Sequence, residues 1–453
     1  MKAASLAIIL GLVPLPALAQ ATTALAAVPA DPAAKSEKFR SQYIRLSDDT
    51  EGLLLEPLIA APDARIAFVF SHPNRDNFKE LPGPAMAALG YRVMLVNYRG
   101  DRDNADAPPE DFLPSISRGI AYLRKLPGIE KVVLLAHSGG THMGTLYENV
   151  AEHGPAACQG PEKIVPCNGK HISGLEKPDG FILLDPTLGA AHQMSAVDPA
   201  AGEKGRDAAL DMFARENGYD IDGKKATYTP DFAKRFYAAQ AARNNQIVDQ
   251  AVERLKLITA GKGEFSNDEP FLVKGVGIRA LGARLYQPDL SFAAHTRQPH
   301  TLIHADGSRT QEIVKSVRPS AGGKQVLGML NELGAMNYST TVRGFLANSA
   351  IRVKPDFAFT TDDIEGIDWA SSYTSTPSNA EGVTVPSLVL TMSCHYLVVP
   401  GEVIYDHLGA KDKTYASVEG ATHLFQPCKP EYGDTKKQVF DFVSEWVSKP
   451  GRL

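Results

Sequence analysis

A serine at position 138 stands where a hydroxyl can be made to react. The short apolar run 131–136 passes through His137, Ser138, Gly139 and Gly140 into a stretch of helical character at 141–152. Small residues stand two before and two after the serine, Ala136 and Gly140. A turn tight enough to lift a hydroxyl off a sheet forces strained dihedrals on the residue that carries it. Larger flanking side chains would collide with the neighbouring strand and helix. The same turn aims the amide of Gly139, and the start of the helix, at negative charge developing on an oxygen held beside the serine. Such a corner serves nucleophilic attack by Ser138, with Gly139 as an oxyanion donor.

The elements around this corner follow one grammar. Continuous apolar runs occur at 66–71, 92–97, 131–137, 181–185, 387–392 and 414–418, separated by helical segments that include 84–89, 111–126, 141–152 and 435–448. Strands that are apolar along their whole length are buried on both faces. The alternation predicts an α/β fold, a mostly parallel twisted sheet with helices on both faces and sites at the carboxyl ends of the strands. A hairpin, 43–46 and 52–58, precedes the series across the polar turn from Ser47 to Thr50. Between about 188 and 385 the rhythm lapses. Amphipathic stretches, notably 231–260, and a hairpin over 301–316 turning at Ala305, Asp306, Gly307 and Ser308 predict a large inserted, mainly helical cap. The expected organisation is a signal at 1–19, a flexible leader at 20–38, a core at 39–187 and 386–453, and the cap at 188–385.

Composition sets the class and the compartment. A chain of 453 residues with 43% hydrophobic and 22% charged residues can bury a sizeable core. With 47 Lys plus Arg against 52 Asp plus Glu, the net charge of −5 leaves no basic excess for nucleic acid or an anionic membrane. At the start, Lys2 precedes the apolar run 6–18 and the small-residue pattern Ala17, Leu18, Ala19, which reads as a secretory signal. Pro14 and Pro16 break that run, no other segment is long and apolar enough to span a bilayer, and a secreted or periplasmic protein is expected.

The segment from Ala136 to Gly140 resembles the nucleophile elbow of the α/β-hydrolase superfamily, in its serine esterase and lipase-like members, with Ala in place of the usual first Gly. Matching features extend over 43–185 and 387–447. The resemblance implies the rest of a site. The run 66–71 ends in His72, Pro73 and Asn74, similar to the superfamily's His-Gly-x loop, and the third residue, Asn74, is the implied second oxyanion amide. Pro73 has no amide to offer, and His72 reads as structural. Tyr98, Arg99 and Gly100 resemble a further turn that holds loops together.

The last strand run is followed by Glu419, Gly420, Ala421, Thr422, His423 and Leu424. The resemblance places the general base on this loop, and of the twelve histidines only His423 combines that chain order with a strand end. The acid departs from the pattern. After 387–392, where a carboxylate is usual, the chain reads Ser393, Cys394, His395 and Tyr396, with no carboxylate until Glu402. Asp185, at the end of the strand after the elbow helix, matches an alternative acid position and keeps the order Ser, Asp, His. Glu402 and Asp406 remain alternatives. Cys394 with Cys428 would tie the two loops beside the site, and Cys158 with Cys167 would close the segment after the elbow helix.

The expected function is a secreted serine hydrolase cleaving a carboxylic ester through an acyl-enzyme, with a small-molecule ester as partner. The alternatives on the same scaffold are an amidase, a carbon–carbon bond hydrolase or lyase, and a non-catalytic binding protein. No His pair or Cys and His cluster has metal-ligand spacing, and there is no glycine-rich phosphate loop or dinucleotide fingerprint, so no metal or cofactor is expected. The chain carries no signature of an oligomeric state. Phe213, Tyr237, Phe292, Tyr338 and Phe345 are candidates to line a cavity or to build the cap's own core. Arg75, Arg99 and Arg102 are candidates for recognising a substrate carboxylate.

Overall fold

A computed structural model of the chain describes residues 36–73, 75–98, 107–202, 205–274, 283–321 and 337–453. The expected signal at 1–19, most of the leader at 20–38, and Asn74, Arg99, Gly100 and Arg102 lie outside the described residues.

Ten strands form the central sheet. In chain order they are β1 (Phe39–Arg45), β2 (Thr50–Pro57), β3 (Ile66–Phe70), β4 (Arg92–Tyr98), β5 (Lys131–His137) and β6 (Gly180–Leu184). The later four are β7 (His295–Ile303), β8 (Arg309–Lys315), β9 (Ser387–Met392) and β10 (Lys413–Val418). Hydrogen bonding places them in the order β1-β2-β4-β3-β5-β6-β9-β10-β7-β8. From β4 to β7 every neighbouring pair is parallel, and the antiparallel pairs lie at the two ends. This is the α/β class expected.

Alternation along each strand explains the unbroken apolar runs. In β5, Val132, Leu134 and Ala136 belong to the layer built with α2 (Leu113–Leu123) and α3 (Gly140–His153). Val133 and Leu135 belong to the layer built with α1 (Pro82–Ala88) and the C-terminal helix (Thr435–Val447). All five side chains are buried, and each such burial contributes about 1.5–3 kcal/mol for a Val or Leu. Helix α2 meets the sheet with Leu113, Ile116, Ile120 and Leu123, one stripe at helical spacing. β3 leads to β4 on one side and β5 to β6 on the other, so the carboxyl ends of β3 and β5 flank a topological switch point, where α/β sheets open a crevice. His72 follows β3, and Ser138 follows β5.

The insertion differs from its expected form. Its long helix, α4 (Pro230–Thr259), starts where the side chain of Thr229 accepts the Phe232 amide at 3.2 Å and Pro230 fills the first turn. Four two-stranded pairs accompany it among the described residues, the longer two being Pro270–Lys274 with Asn337–Thr341 and Arg352–Phe359 with Ile364–Asp368, so strands stand beside the helices of the insertion. The expected hairpin forms, turning at Gly307 with φ 82°, but it joins the central sheet: Thr301, Leu302 and Ile303 pair with Ala416, Ser417 and Val418 of β10. β8 is exposed along most of its length as an edge strand, which leaves it too polar to show as an apolar run.

The insertion's aromatics mostly build its core. Tyr237 packs edge-on against Phe292 and Phe357, Phe345 meets Phe271, and Phe213 meets Tyr219. The side chain of Tyr338 lies outside the described residues. No helix among the described residues is long and apolar enough to cross a membrane.

Candidate active site

β5 and β6 both run into residues in the left-handed region, Ser138 with φ 54° and Asp185 with φ 42°. A non-glycine residue keeps that conformation only where its surroundings over-determine it. Ser138 N–H donates to the Leu184 carbonyl at 3.1 Å and Asp185 N–H to the Leu390 carbonyl at 2.8 Å. The Ser138 carbonyl accepts the amide of Thr141 at 3.0 Å and its hydroxyl at 2.6 Å, joining the corner to the first turn of α3. The small flanks are required by packing: a β-carbon on Gly140 would lie 2.9 Å from the Ser71 carbonyl oxygen. Ala136 is buried beneath the turn.

Three residues singled out in the sequence meet here. His423 Nε2 lies 2.8 Å from Ser138 Oγ, and His423 Nδ1 lies 2.6 Å from Asp185 Oδ2. Asp185 is fully buried. Burial alone would raise its pKa, but the bonds and positive character of His395 and His423 outweigh it and hold the carboxyl well below the usual range. An ionised carboxylate only accepts hydrogen bonds, so His423 Nδ1 carries the proton and Nε2 presents its lone pair to the serine hydroxyl. The arrangement can take a proton from Ser138 and stabilise the resulting imidazolium.

Glu402 and Asp406 are elsewhere. The Glu402 carboxylate accepts the Arg297 amide at 2.7 Å, the Gln298 amide at 2.9 Å and His300 Nε2 at 2.8 Å. Those amides lie where β7 shifts register between His295 and Pro299. Asp406 pairs with the Arg297 guanidinium. Both acids fasten β7 to α5 (Val398–His407).

Glu402→Gln is therefore expected to cost about 1–3 kcal/mol of stability while leaving turnover per folded molecule unchanged, as urea unfolding and parallel assays would measure. Burial pushes the Glu402 pKa up, but its bonds to His300 and the two amides outweigh this and lower it. Its contribution is then present above the unfolded value of about 4.3 and is lost as pH falls through the folded value. The stability gap between the two proteins is expected to narrow below about pH 4.

The remaining expectations distribute as follows. His72 is buried, donates from Nδ1 to the Pro73 carbonyl at 2.6 Å, and packs on the elbow, where a β-carbon on Gly139 would lie 3.2 Å from its Nε2. Burial, with the nearby Arg75 charge, lowers its pKa to about 3. Asn74 lies outside the described residues; Asn77, farther along the chain, donates from its side chain to the carbonyls of His72 at 3.2 Å and Val96 at 2.7 Å. Gly139 directly precedes α3. Arg75 is engaged by Glu80 at 3.1 Å. Disulfides join Cys158 to Cys167 and Cys394 to Cys428, and the second ties the loop after β9 to the loop carrying His423.

Two contacts of the site went unread in the sequence. His137 Nε2 donates to the backbone carbonyl of His423 at 2.9 Å, with its ring 4.7 Å from that of His423. The residue before the serine thus holds the backbone of His423, and burial keeps His137 neutral by lowering its pKa well below the ordinary value. His395 Nδ1 lies 2.7 Å from Asp185 Oδ2, the same oxygen that His423 uses. The only signal for it was a histidine standing where a carboxylate was sought.

Asp185, His395 and His423 are also a set whose ligand atoms converge within 4.8 Å, as a metal site would require. As bonded here, both Nδ1 atoms carry protons toward the carboxylate and have no lone pair to give a cation.

The sheet order, a strained serine after β5, and an acid and a histidine after β6 and β10 define an α/β-hydrolase fold. No protein-family model and no curated protein matches the chain. Among solved structures the chain is similar to the siderophore hydrolase EstB from Aspergillus fumigatus, at 10% identity and a TM-score of 0.44 over 92% of this chain and 99% of that one. It is similar to a mutant of the esterase E40, at 9% identity and a TM-score of 0.41 over 93% and 88% of the two chains. A hypothetical protein from Pseudomonas aeruginosa is similar at 12% identity and a TM-score of 0.38 over 90% and 94%. Likenesses of this size leave the reaction and its substrate to the chemistry of the site.

Proposed function

We propose that the protein is a secreted serine hydrolase that cleaves a small carboxylic ester through an acyl-enzyme intermediate. The observation that carries this reading is the bonded series Ser138 Oγ, His423 Nε2, His423 Nδ1 and Asp185 Oδ2, at 2.8 and 2.6 Å, built on a serine with positive φ. Ser138 Oγ attacks the ester carbonyl as His423 Nε2 takes its proton, and Asp185 stabilises the imidazolium. The amides of Gly139 and Asn74 receive the oxyanion of the tetrahedral intermediate. His423 returns the proton to the departing alkoxide, then draws one from the water that releases the acid. The two disulfides suit an oxidising compartment, in keeping with the signal read at 1–19.

The test is turnover of p-nitrophenyl esters of graded acyl length by the full-chain protein after export. The expected result is hydrolysis with an initial burst of nitrophenol stoichiometric with enzyme wherever deacylation is slower than acylation. A protein that turns over none of the series and forms no covalent adduct with a phosphonate would contradict the proposal.

A further inference from the structure

Asp185 is held from three directions. Its Oδ1 accepts the Met392 amide at 3.2 Å, and its Oδ2 accepts both His423 Nδ1 at 2.6 Å and His395 Nδ1 at 2.7 Å. Backing a general base takes one imidazole on the acid, and here there are two. The second has backbone anchors of its own. The His395 amide donates to the Met392 carbonyl at 3.1 Å, and its carbonyl accepts the Ser316 hydroxyl at 2.8 Å. Next to it, Cys394 is bonded to Cys428, and its amide donates to the Ala421 carbonyl at 2.8 Å. The His395 ring is packed between the rings of His423 at 4.7 Å and Tyr396 at 4.4 Å.

We propose that His395 is a positioning residue, which through Asp185 sets both the orientation and the basicity of His423. The inference rests on the reading of Ser138, His423 and Asp185 given above. Two consequences follow from its bond. A second side-chain donor fixes the carboxylate against rotation, and so fixes the imidazole that leans on it. The same donor draws negative charge from the oxygen that stabilises the imidazolium His423 becomes during turnover.

Burial lowers the pKa of His395 itself, against the opposing pull of Asp185, so it meets the carboxylate as a neutral donor and not as a competing cation. The other titratable or charged groups around the pair include His137 on β5, Tyr415 on β10, Tyr396 on the same loop, and farther off His72, His192 and Arg318. Among the described residues, Asp185 takes its side-chain bonds from His395, His423 and the Met392 amide.

The test compares His395→Phe, which keeps a ring and loses the donor, with His395→Asn, whose side-chain amide can replace Nδ1–H. The assay follows p-nitrophenyl acetate hydrolysis against pH. In His395→Phe, kcat is expected to fall by about ten- to a hundredfold, as for other groups that orient a reacting ligand. The midpoint of the acid limb of kcat/KM is expected to rise by about half a unit to one unit, because more charge remains on Asp185 to stabilise the imidazolium. His395→Asn is expected to move both back toward wild type. Equal losses in the two variants with an unmoved acid limb would make His395 a packing residue and overturn the inference.

If His395→Phe does not fold, histidine ¹⁵N spectra of the wild-type protein decide: His395 is expected as the Nδ1–H tautomer, and the Nε2–H tautomer overturns the role. Activity surviving in Ser138→Ala would end the reading of the site itself. With Ser138→Ala inactive, an unmoved acid limb in His395→Phe removes only the role of His395.

Discussion

Replacing Ser138 with alanine is expected to lower kcat for ester hydrolysis by about a millionfold, the scale seen when the nucleophile of a serine–histidine–aspartate site is removed. The size of the loss follows from the geometry. Ser138 Oγ is the group bonded to His423 Nε2, and a methyl at this position leaves the base with nothing to deprotonate. The fold is expected to survive. The corner is held by backbone bonds from Ser138 N–H to Leu184 and from Thr141 to the Ser138 carbonyl, none of which uses the serine hydroxyl. Alanine at φ 54° is strained about as serine is, so stability is expected to change by less than about 1 kcal/mol. Steady-state kinetics alongside thermal unfolding would separate loss of chemistry from loss of fold.

The second large effect is expected in Asp185→Asn, with kcat lower by about ten-thousandfold. Both imidazoles donate from Nδ1 to one oxygen, Oδ2, and the Met392 amide donates to the other, whereas an amide offers one accepting oxygen and one donating nitrogen. With the amide oxygen on the histidines, the NH2 faces the Met392 N–H, donor against donor. With the NH2 on the histidines, His423 must change tautomer, and its Nε2 no longer accepts from Ser138. The negative charge that stabilises the imidazolium is lost in either case. Comparing kcat in Asp185→Asn and Glu402→Gln separates the two acids: a large loss in the first with turnover intact in the second is expected, and the reverse would move the acid to Glu402.

What could be read in the sequence followed the range of the interaction. The turn at Ser138 was legible because its requirements are local: an apolar strand before, a helix after, and small residues two away on each side. Asp185 was legible only through chain order, since its place beside His423 depends on β6 lying next to β5 and β9, pairings with long intervals between them. His395 was seen only as one of the four residues, 393–396, standing where an acid was missing, and its bond to Asp185 joins positions 210 apart. Nothing local in either segment announces that contact. The hairpin at the sheet's edge divides in the same way. Its turn is marked by Asp306 and Gly307, whereas its pairing with Ala416 to Val418 depends on how the insertion returns to the core. Glu402 stood as an alternative acid because it is the first carboxylate after 387–392, and a carboxylate there reads the same in one dimension whether it serves His423 or the amides of β7.

The most direct measurement is peptide mapping after treatment with a fluorophosphonate, on the wild-type protein and on His423→Ala. A single stoichiometric adduct is expected at Ser138 in the wild type, with labelling slowed by several orders of magnitude when the imidazole is removed. An adduct on any other residue, or a Ser138 that reacts equally fast without His423, would contradict the account.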